Sequence, residues 1–490
     1  MESSIISRLE AFATRTAVED ASGLHTYAEL LARARGIAVA LGGQDLNETR
    51  IAVLTDPGAD FAAALLGIWM VGGIAIPLCR DHPAPEISYV LEDSGAIRVI
   101  ADQAHASRFR HITLCLEGLP KDAPQFQPCV VAPDRRALML YTSGTTGRSK
   151  GVVTTHAQVE AMICPLVSAW GWSERDHILH VLPLHHAHGL VNALLCCLWS
   201  GATCLMLPRF VACDVWDRLG QVTLFMGVPT MYRRLLEVWE QAGSRQRSKW
   251  STGCSSVRLM VSGSSALPAD IFVRWEKVTG HRLLERYGMT EIGMALSNPL
   301  TGERRPGTVG VPLPGVEVRL VDELGQVVDS EGQAGELQVK SPSVFQEYWR
   351  RPEATEVSFQ RGWFSTGDVA TVEHGYYRIL GRKSVDIIKT GGYKVSALEI
   401  ENVLRSHAAV ADCAIVGVVD EDWGEAVCAA VVPNPGFTLT LDTLRLWAKG
   451  QLAYYKVPTR IRILNALPLN STGKVQKVAL RAAFEAPQAR

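Results

Sequence analysis

The sequence predicts an α/β protein built on mostly parallel sheets covered by helices, and three observations predict it. From residue 1 to about residue 132, helical apolar spacing alternates with short apolar runs of strand length. A helix–glycine–strand unit occurs twice, over Phe61–Cys79 with its break at Gly72-Gly73 and over Gly189–Leu207 with its break at Gly201, which predicts two similar halves. At 490 residues the chain exceeds one ordinary core, so roughly two to four domains are expected.

The elements follow in order. Thr26 stands as a helix N-cap before the periodic stretch that ends at Leu41. Arg50–Thr55 and Ala96–Ala101 read as short buried strands, and Ala137–Leu140 as a buried strand that feeds a loop. The two uncharged runs are long enough to span a bilayer, but a glycine break followed by a strand-like piece reads better as helix, cap and buried strand. Val257–Leu267 reads as a strand entering a small-residue turn. Beyond residue 387 the pattern is helix (Ala397–His407), strand (Ala409–Val418), strand (Ala426–Val432) and helix (Thr440–Leu452), a small α+β unit.

Composition excludes several function classes. Hydrophobic residues make up 47% and charged residues 20%, as in globular proteins. Lysines and arginines (49) balance the acids (50), and the basic residues are spread, so neither nucleic acid nor a membrane surface is an expected partner. Eleven cysteines without CxxC pairs read as thiols in a reducing compartment. The first residues carry acids and no apolar signal core, so cytoplasm is the expected compartment, with the mitochondrial matrix as the alternative.

The chemistry centres on Tyr141–Gly151, YTSGTTGRSKG. Its glycines allow close backbone approach, its hydroxyls donate hydrogen bonds, and Lys150 adds a point charge, which together suit phosphate oxygens. The GxxxxGK[ST] spacing of a Walker loop is absent, and on composition alone a flexible turn fits as well. Downstream, LPLHHAHG with His177 and His180 gathers five histidines. Zinc is one reading. Against it, the neighbouring cysteines sit in an apolar helix and no carboxylate accompanies the cluster. LERYGMTEIGM then offers Tyr287 for stacking, Thr290 as a donor and Glu291 as a hard oxygen ligand for Mg2+.

YTSGTTGRSKGV resembles the phosphate-loop signature of the adenylate-forming superfamily of acyl-CoA synthetases, luciferases and adenylation domains, and the order of later motifs extends the resemblance over nearly the whole chain. ERYGMTE, HHAHG, MVSGSSAL and VDIIKTGGYKVSALEIE are similar to the malonyl-CoA synthetase branch, especially its mitochondrial-type members. The resemblance implies a large N-terminal domain (1–381) of two related sheet-and-helix subdomains plus a smaller β-subdomain. A hinge (382–386) and a mobile small C-terminal domain (387–490) would follow.

It also implies an AMP-forming ligase acting on malonate, with methylmalonate as a further substrate, and using ATP, Mg2+ and CoA. Thr142, Ser143, Gly144, Thr145, Thr146, Gly147 and Lys150 would hold phosphates, and Gly263, Ser264 and Ser265 with Tyr287 the adenine. Asp368, in GWFSTGD, and Arg382 would hold ribose, Glu291 the metal, Thr290 the α-phosphate, and Lys474 would be the catalytic lysine. Gly392 and Tyr393 would meet CoA. His186, His188, Ser262 and Arg286 would line the acyl site, where Arg286 either binds a second substrate carboxylate or pairs with Glu285 or another acid. GRKSVDIIK carries one residue more than the common spacing, so Lys383, Ser384 and Val385 all remain hinge candidates. Other readings are a medium- or long-chain acyl-CoA synthetase, an adenylation domain serving a carrier protein (no carrier motif is found within the chain), and a non-catalytic nucleotide or acyl-ligand sensor.

Overall fold

The computed structural model describes residues 5–109, 113–142, 149–469 and 474–486. Among them, two large sheets sandwich a shared helical layer. The seven-stranded sheet runs, across its width, Glu347–Tyr348, Lys150–Thr155, Arg136–Thr142, Ile74–Pro77, Arg50–Leu54, Arg98–Ala101, Thr113–Cys115. The nine-stranded sheet runs Val311–Pro312, Gly293–Ser297, Leu284–Met289, Leu259–Ser262, Leu224–Gly227, His177–His180, Thr203–Met206, Thr16–Asp20, Gly23–Thr26. Their centres are parallel, and antiparallel pairs lie toward the edges.

Side-chain alternation along each strand explains the layers. Ile178, Leu224 and Leu259 face the shared core with Ile51, Val53 and Leu138 of the other sheet, and the helices bearing Leu30, Leu65 and Leu194 fill the space between. Their strand neighbours Leu179, Phe225 and Met260 face a second core on the outer side, and Ala52, Leu54 and Ile76 face a third. Both faces of each sheet are therefore covered, as parallel sheets require.

The repeated unit appears in both sheets. Helix Ala59–Met70 is followed by Gly72 at φ +62° and strand Ile74–Pro77; helix Cys196–Trp199 is followed by Gly201 at φ +72° and strand Thr203–Met206. Each glycine takes a left-handed conformation that side chains resist. The second unit differs from expectation at its start, since His188–Leu195 is a widened π-helical turn, a feature concentrated at functional sites. Thr26 does cap helix Tyr27–Ala40, in a reciprocal box with Glu29. No helix among the described residues is long and apolar enough to cross a membrane.

A smaller antiparallel sheet pairs Gly335–Lys340 with Glu317–Val321 and Trp363–Glu373, and Tyr376–Arg382 joins Trp363–Glu373. The fourth sheet belongs to a smaller α+β C-terminal domain, with Ile387–Thr390, Tyr393–Ser396, Val410–Asp420, Gly424–Pro433 and Arg460–Ile463 packed against helix Ala397–Arg405. All eleven cysteines are free.

Candidate active site

A cavity of about 2540 Å3 opens where the two large sheets, the small antiparallel sheet and the C-terminal domain meet. Its floor is set by the carboxyl end of strand Leu259–Ser262 and by strand Leu284–Met289 with the turn that follows it. Ligands of open α/β sheets bind at such strand ends. The cavity exceeds the usual space for one small ligand and suits several substrates at once.

One end of the cavity is ionic. Thr142 and Lys150 face each other across the hairpin from Arg136–Thr142 to Lys150–Thr155. Ser143, Gly144, Thr145, Thr146 and Gly147 lie outside the described residues. The Lys150 ammonium sits 5.0 Å from the centroid of the Tyr348 ring, and the Tyr348 hydroxyl donates to Glu291 Oε1 at 2.9 Å. Burial raises the Glu291 carboxyl above its ordinary range, opposed by Tyr348 and Arg382. A buried carboxylate with no ion pair among the described residues is a fitting oxygen ligand for Mg2+. Thr290 shares its turn and lines the cavity.

Tyr287 donates its hydroxyl to Asp368 Oδ2 at 2.5 Å, and Arg382 Nε lies 3.0 Å from Asp368 Oδ1. Antiparallel register puts Asp368 opposite Arg382, so the sheet itself makes this pair. Burial raises the Asp368 carboxyl, and Arg382 opposes the rise. Lys474 reaches into the cavity from the C-terminal domain. Lost hydration and Arg382 lower its ammonium below the usual lysine range, with Asp368 opposing and Arg286 adding to the fall.

The other end is a buried cluster of polar atoms. Arg286 is 4% exposed, and its Nε and Nη2 have no hydrogen-bond partner among the described residues. Burial pulls its guanidinium down to about 9. Glu285 does not pair with it, because neighbours on a strand point to opposite faces. Glu285 instead accepts the Gly307 N–H at 3.1 Å, and burial pushes its carboxyl up to about 8. Gly263 makes room for Arg286: a Cβ there would stand 2.5 Å from the guanidinium carbon.

Around Arg286 stand Ser262, His186 and His188. Ser262 Oγ, His186 Nε2 and His188 Nε2 are all buried without a hydrogen-bond partner among the described residues. The Ser264 hydroxyl and His188 Nδ1 are 3.2 Å apart, with Ser264 held at φ +70°. Burial, then Arg286, holds the His188 ring well below its ordinary pKa, and burial, then Lys474, brings His186 down to about 4. Both imidazoles are therefore neutral, and among the described residues Arg286 gives this cluster a positive charge. Ser265 lines the cavity beside Ser264.

Gly392 and Tyr393 are placed elsewhere. They lie in the turn and strand after Ile387–Thr390, outside the cavity lining, where Tyr393 stacks on Tyr455 at 3.9 Å. That hairpin is tied to the turn after strand Glu317–Val321 by Lys394 and Glu323 at 2.7 Å, and Arg233 of helix Pro229–Gln241 pairs with Asp412 of the C-terminal domain at 2.6 Å. Residues 383–386 form a turn in which the Lys383 ammonium meets Glu336 at 3.0 Å. Sequence reasoning missed Tyr348, whose partners Lys150 and Glu291 are far from it in the chain, and no local pattern marks it.

The fold and this donor set define an AMP-binding enzyme. The chain belongs to that family: the family model for the AMP-binding enzyme matches residues 7–349, and the model for its C-terminal domain matches residues 399–474. The mitochondrial malonate–CoA ligase of Xenopus laevis is 42% identical over 98% of this chain and 92% of its own length. The ATP-bound MatB of Rhodopseudomonas palustris matches with a TM-score of 0.92 at 34% identity, covering 99% of each chain. A malonyl-CoA ligase solved with methylmalonyl-CoA and AMP matches with a TM-score of 0.70 at 36% identity, covering 94% of this chain and 97% of that one.

Proposed function

We propose that this chain is a malonate–CoA ligase, converting malonate, ATP and CoA to malonyl-CoA, AMP and pyrophosphate. A single observation carries the choice of acid. Arg286 is buried, makes no ion pair among the described residues, and is ringed by neutral imidazoles whose Nε2 atoms, like the Ser262 hydroxyl, have no hydrogen-bond partner among those residues. A buried charge without a counter-ion costs several kcal/mol, so the site calls for an anion, and a planar guanidinium fits a carboxylate. Malonate supplies one carboxylate to bind there and a second to react. A fatty chain would leave Arg286 unpaired.

Two displacements follow. The free carboxylate attacks the α-phosphorus of ATP, the bond to pyrophosphate breaks, and a malonyl-adenylate forms. The CoA thiol then attacks the acyl carbon, AMP leaves, and the thiol proton passes to solvent. The enzyme needs no side-chain nucleophile; alignment and charge stabilisation suffice. Lys474 would neutralise charge between carboxylate and α-phosphate, Thr290 would donate to the α-phosphate, and Thr142 with Lys150 would hold the outer phosphates. Glu291 would hold Mg2+, which supplies charge neutralisation at the phosphates. Asp368 and Arg382 would grip ribose, and the Gly263–Ser265 turn with Tyr287 would face adenine.

Gly392 and Tyr393 lie away from the cavity, so CoA attack on this reading requires the small domain to turn about residues 382–386, withdrawing Lys474. The eleven free thiols suit a reducing compartment, cytoplasm or mitochondrial matrix.

The test is AMP release with ATP, Mg2+ and CoA across malonate, methylmalonate, acetate, succinate and octanoate. Activity concentrated on malonate and methylmalonate is the expected result. Preference for octanoate would overturn the reading of Arg286.

A further inference from the structure

A thiol and two imidazoles from distant segments meet beside, but outside, the donor set already described. Strand Ile74–Pro77 runs into Leu78-Cys79-Arg80-Asp81-His82. The His82 N–H donates to the Cys79 carbonyl at 3.2 Å, so the two residues stand at the first and last positions of a tight turn, which brings their side chains together. His185 enters from the other large sheet, in the loop after strand His177–His180. One ligand atom from each of Cys79, His82 and His185 lies within 4.8 Å of the other two.

The turn is held from several sides. Arg108 donates to the carbonyls of Arg80 at 3.0 Å and His82 at 2.8 Å, and Arg80 reaches Asp56 and the carbonyl of Pro208. The Glu86 carboxylate stands 3.3 Å from His82 Nδ1, the kind of partner that orients a ligating imidazole. His185 Nε2 is buried with no hydrogen-bond partner among the described residues. The His82 and His185 ring centroids are 5.8 Å apart, so the two imidazoles approach the thiol as a pair.

We infer that Cys79, His82 and His185 form a site for a borderline divalent metal, Zn2+ by chemistry, that ties the two large sheets together beside the acyl pocket. One sulfur and two nitrogens select zinc over magnesium, which takes oxygen ligands, and three protein ligands leave a fourth position for water. This donor set shares nothing with Glu291. On loading, the Cys79 S–H bond breaks, its proton goes to solvent, and a sulfur–zinc bond forms with no change of oxidation state. The His185 and His186 ring centroids are 4.1 Å apart, so a metal on His185 fixes the wall of which His186 is part. Among the clustered histidines the missing zinc ligand is Cys79, more than a hundred residues upstream.

The test is titration of the tag-free, metal-stripped protein with Co2+, followed by Zn2+. The expected result is one equivalent of cobalt with thiolate charge-transfer and tetrahedral ligand-field bands, displaced by Zn2+, and a rise in Tm on Zn2+ addition. Cys79→Ser should abolish the charge-transfer band and weaken Zn2+ binding by about 100-fold or more. If that variant fails to fold, His82→Gln should lose the tetrahedral bands and the Zn2+-dependent Tm rise. Octahedral cobalt only, or bands that survive either substitution, would overturn the site.

Discussion

Tyr348 donates its hydroxyl hydrogen to Glu291 Oε1 over 2.9 Å while carrying the Lys150 ammonium on its ring face. One tyrosine thus links the cation proposed for the phosphates to the carboxylate proposed for the metal. Tyr348→Phe keeps the ring and removes the hydrogen bond. The apparent Mg2+ affinity should fall roughly 10-fold, with the malonate KM unchanged, read from AMP release at graded Mg2+. An unmoved Mg2+ dependence would separate Tyr348 from the metal.

Arg286→Ala should lower kcat/KM for malonate by roughly 100- to 1000-fold, the scale of stripping one partner from a buried ion pair. The rate with acetate should change far less, so the ratio of the two acids is the measurement. An unchanged ratio would remove Arg286 from substrate recognition.

Gly263→Ala places a methyl group where the guanidinium carbon of Arg286 would be 2.5 Å away. Arg286 must shift, and the malonate KM should rise roughly 10-fold, since small misplacements of a binding group weaken alignment. The rise is read from AMP release at graded malonate with ATP saturating, and an unchanged malonate KM would separate Gly263 from the placing of Arg286.

Lys474→Ala should slow adenylate formation by roughly 100-fold or more. Reaction of separately prepared malonyl-adenylate with CoA should be largely retained, because on the proposed mechanism Lys474 has left the site by then. Equal damage to both half-reactions would contradict the rotation.

Burial pushes the Glu285 carboxyl up to about 8 from an ordinary value of 4.5. Between these values the unfolded chain has lost this proton while the folded chain retains it, so stability falls as pH rises from 4.5 to 8. Glu285→Gln keeps an acceptor for the Gly307 N–H and removes the titration. Its Tm should exceed the parent's more at pH 8 than at pH 5, by differential scanning calorimetry.

Local signals in the sequence disclosed the repeated helix–glycine–strand units, because Gly72 and Gly201 each end a helix within a few residues of the next strand. The Thr26 cap was equally readable, since capping is a contact between near neighbours. What the sequence left undecided was Arg286. Its neighbour Glu285 was an obvious candidate partner, and only strand alternation turns the two side chains apart. Tyr348 and the Cys79–His185 approach left no trace because their partners are far away along the chain. The extra residue in GRKSVDIIK likewise could not show that Lys383 meets Glu336 across a turn.

The hairpin Thr16–Asp20 with Gly23–Thr26 forms the far edge of the nine-stranded sheet, where Val18 is in register with Cys204. It is synthesised long before its neighbour strand Thr203–Met206, which follows only after six of the seven strands of the other large sheet. During translation this edge leaves the ribosome with no sheet to join. Long-range parallel pairing is slow, and unpaired strand edges attract other chains. Closure of the second sheet is therefore a late assembly step, and the interval before residue 206 emerges is when the nascent chain most needs a chaperone.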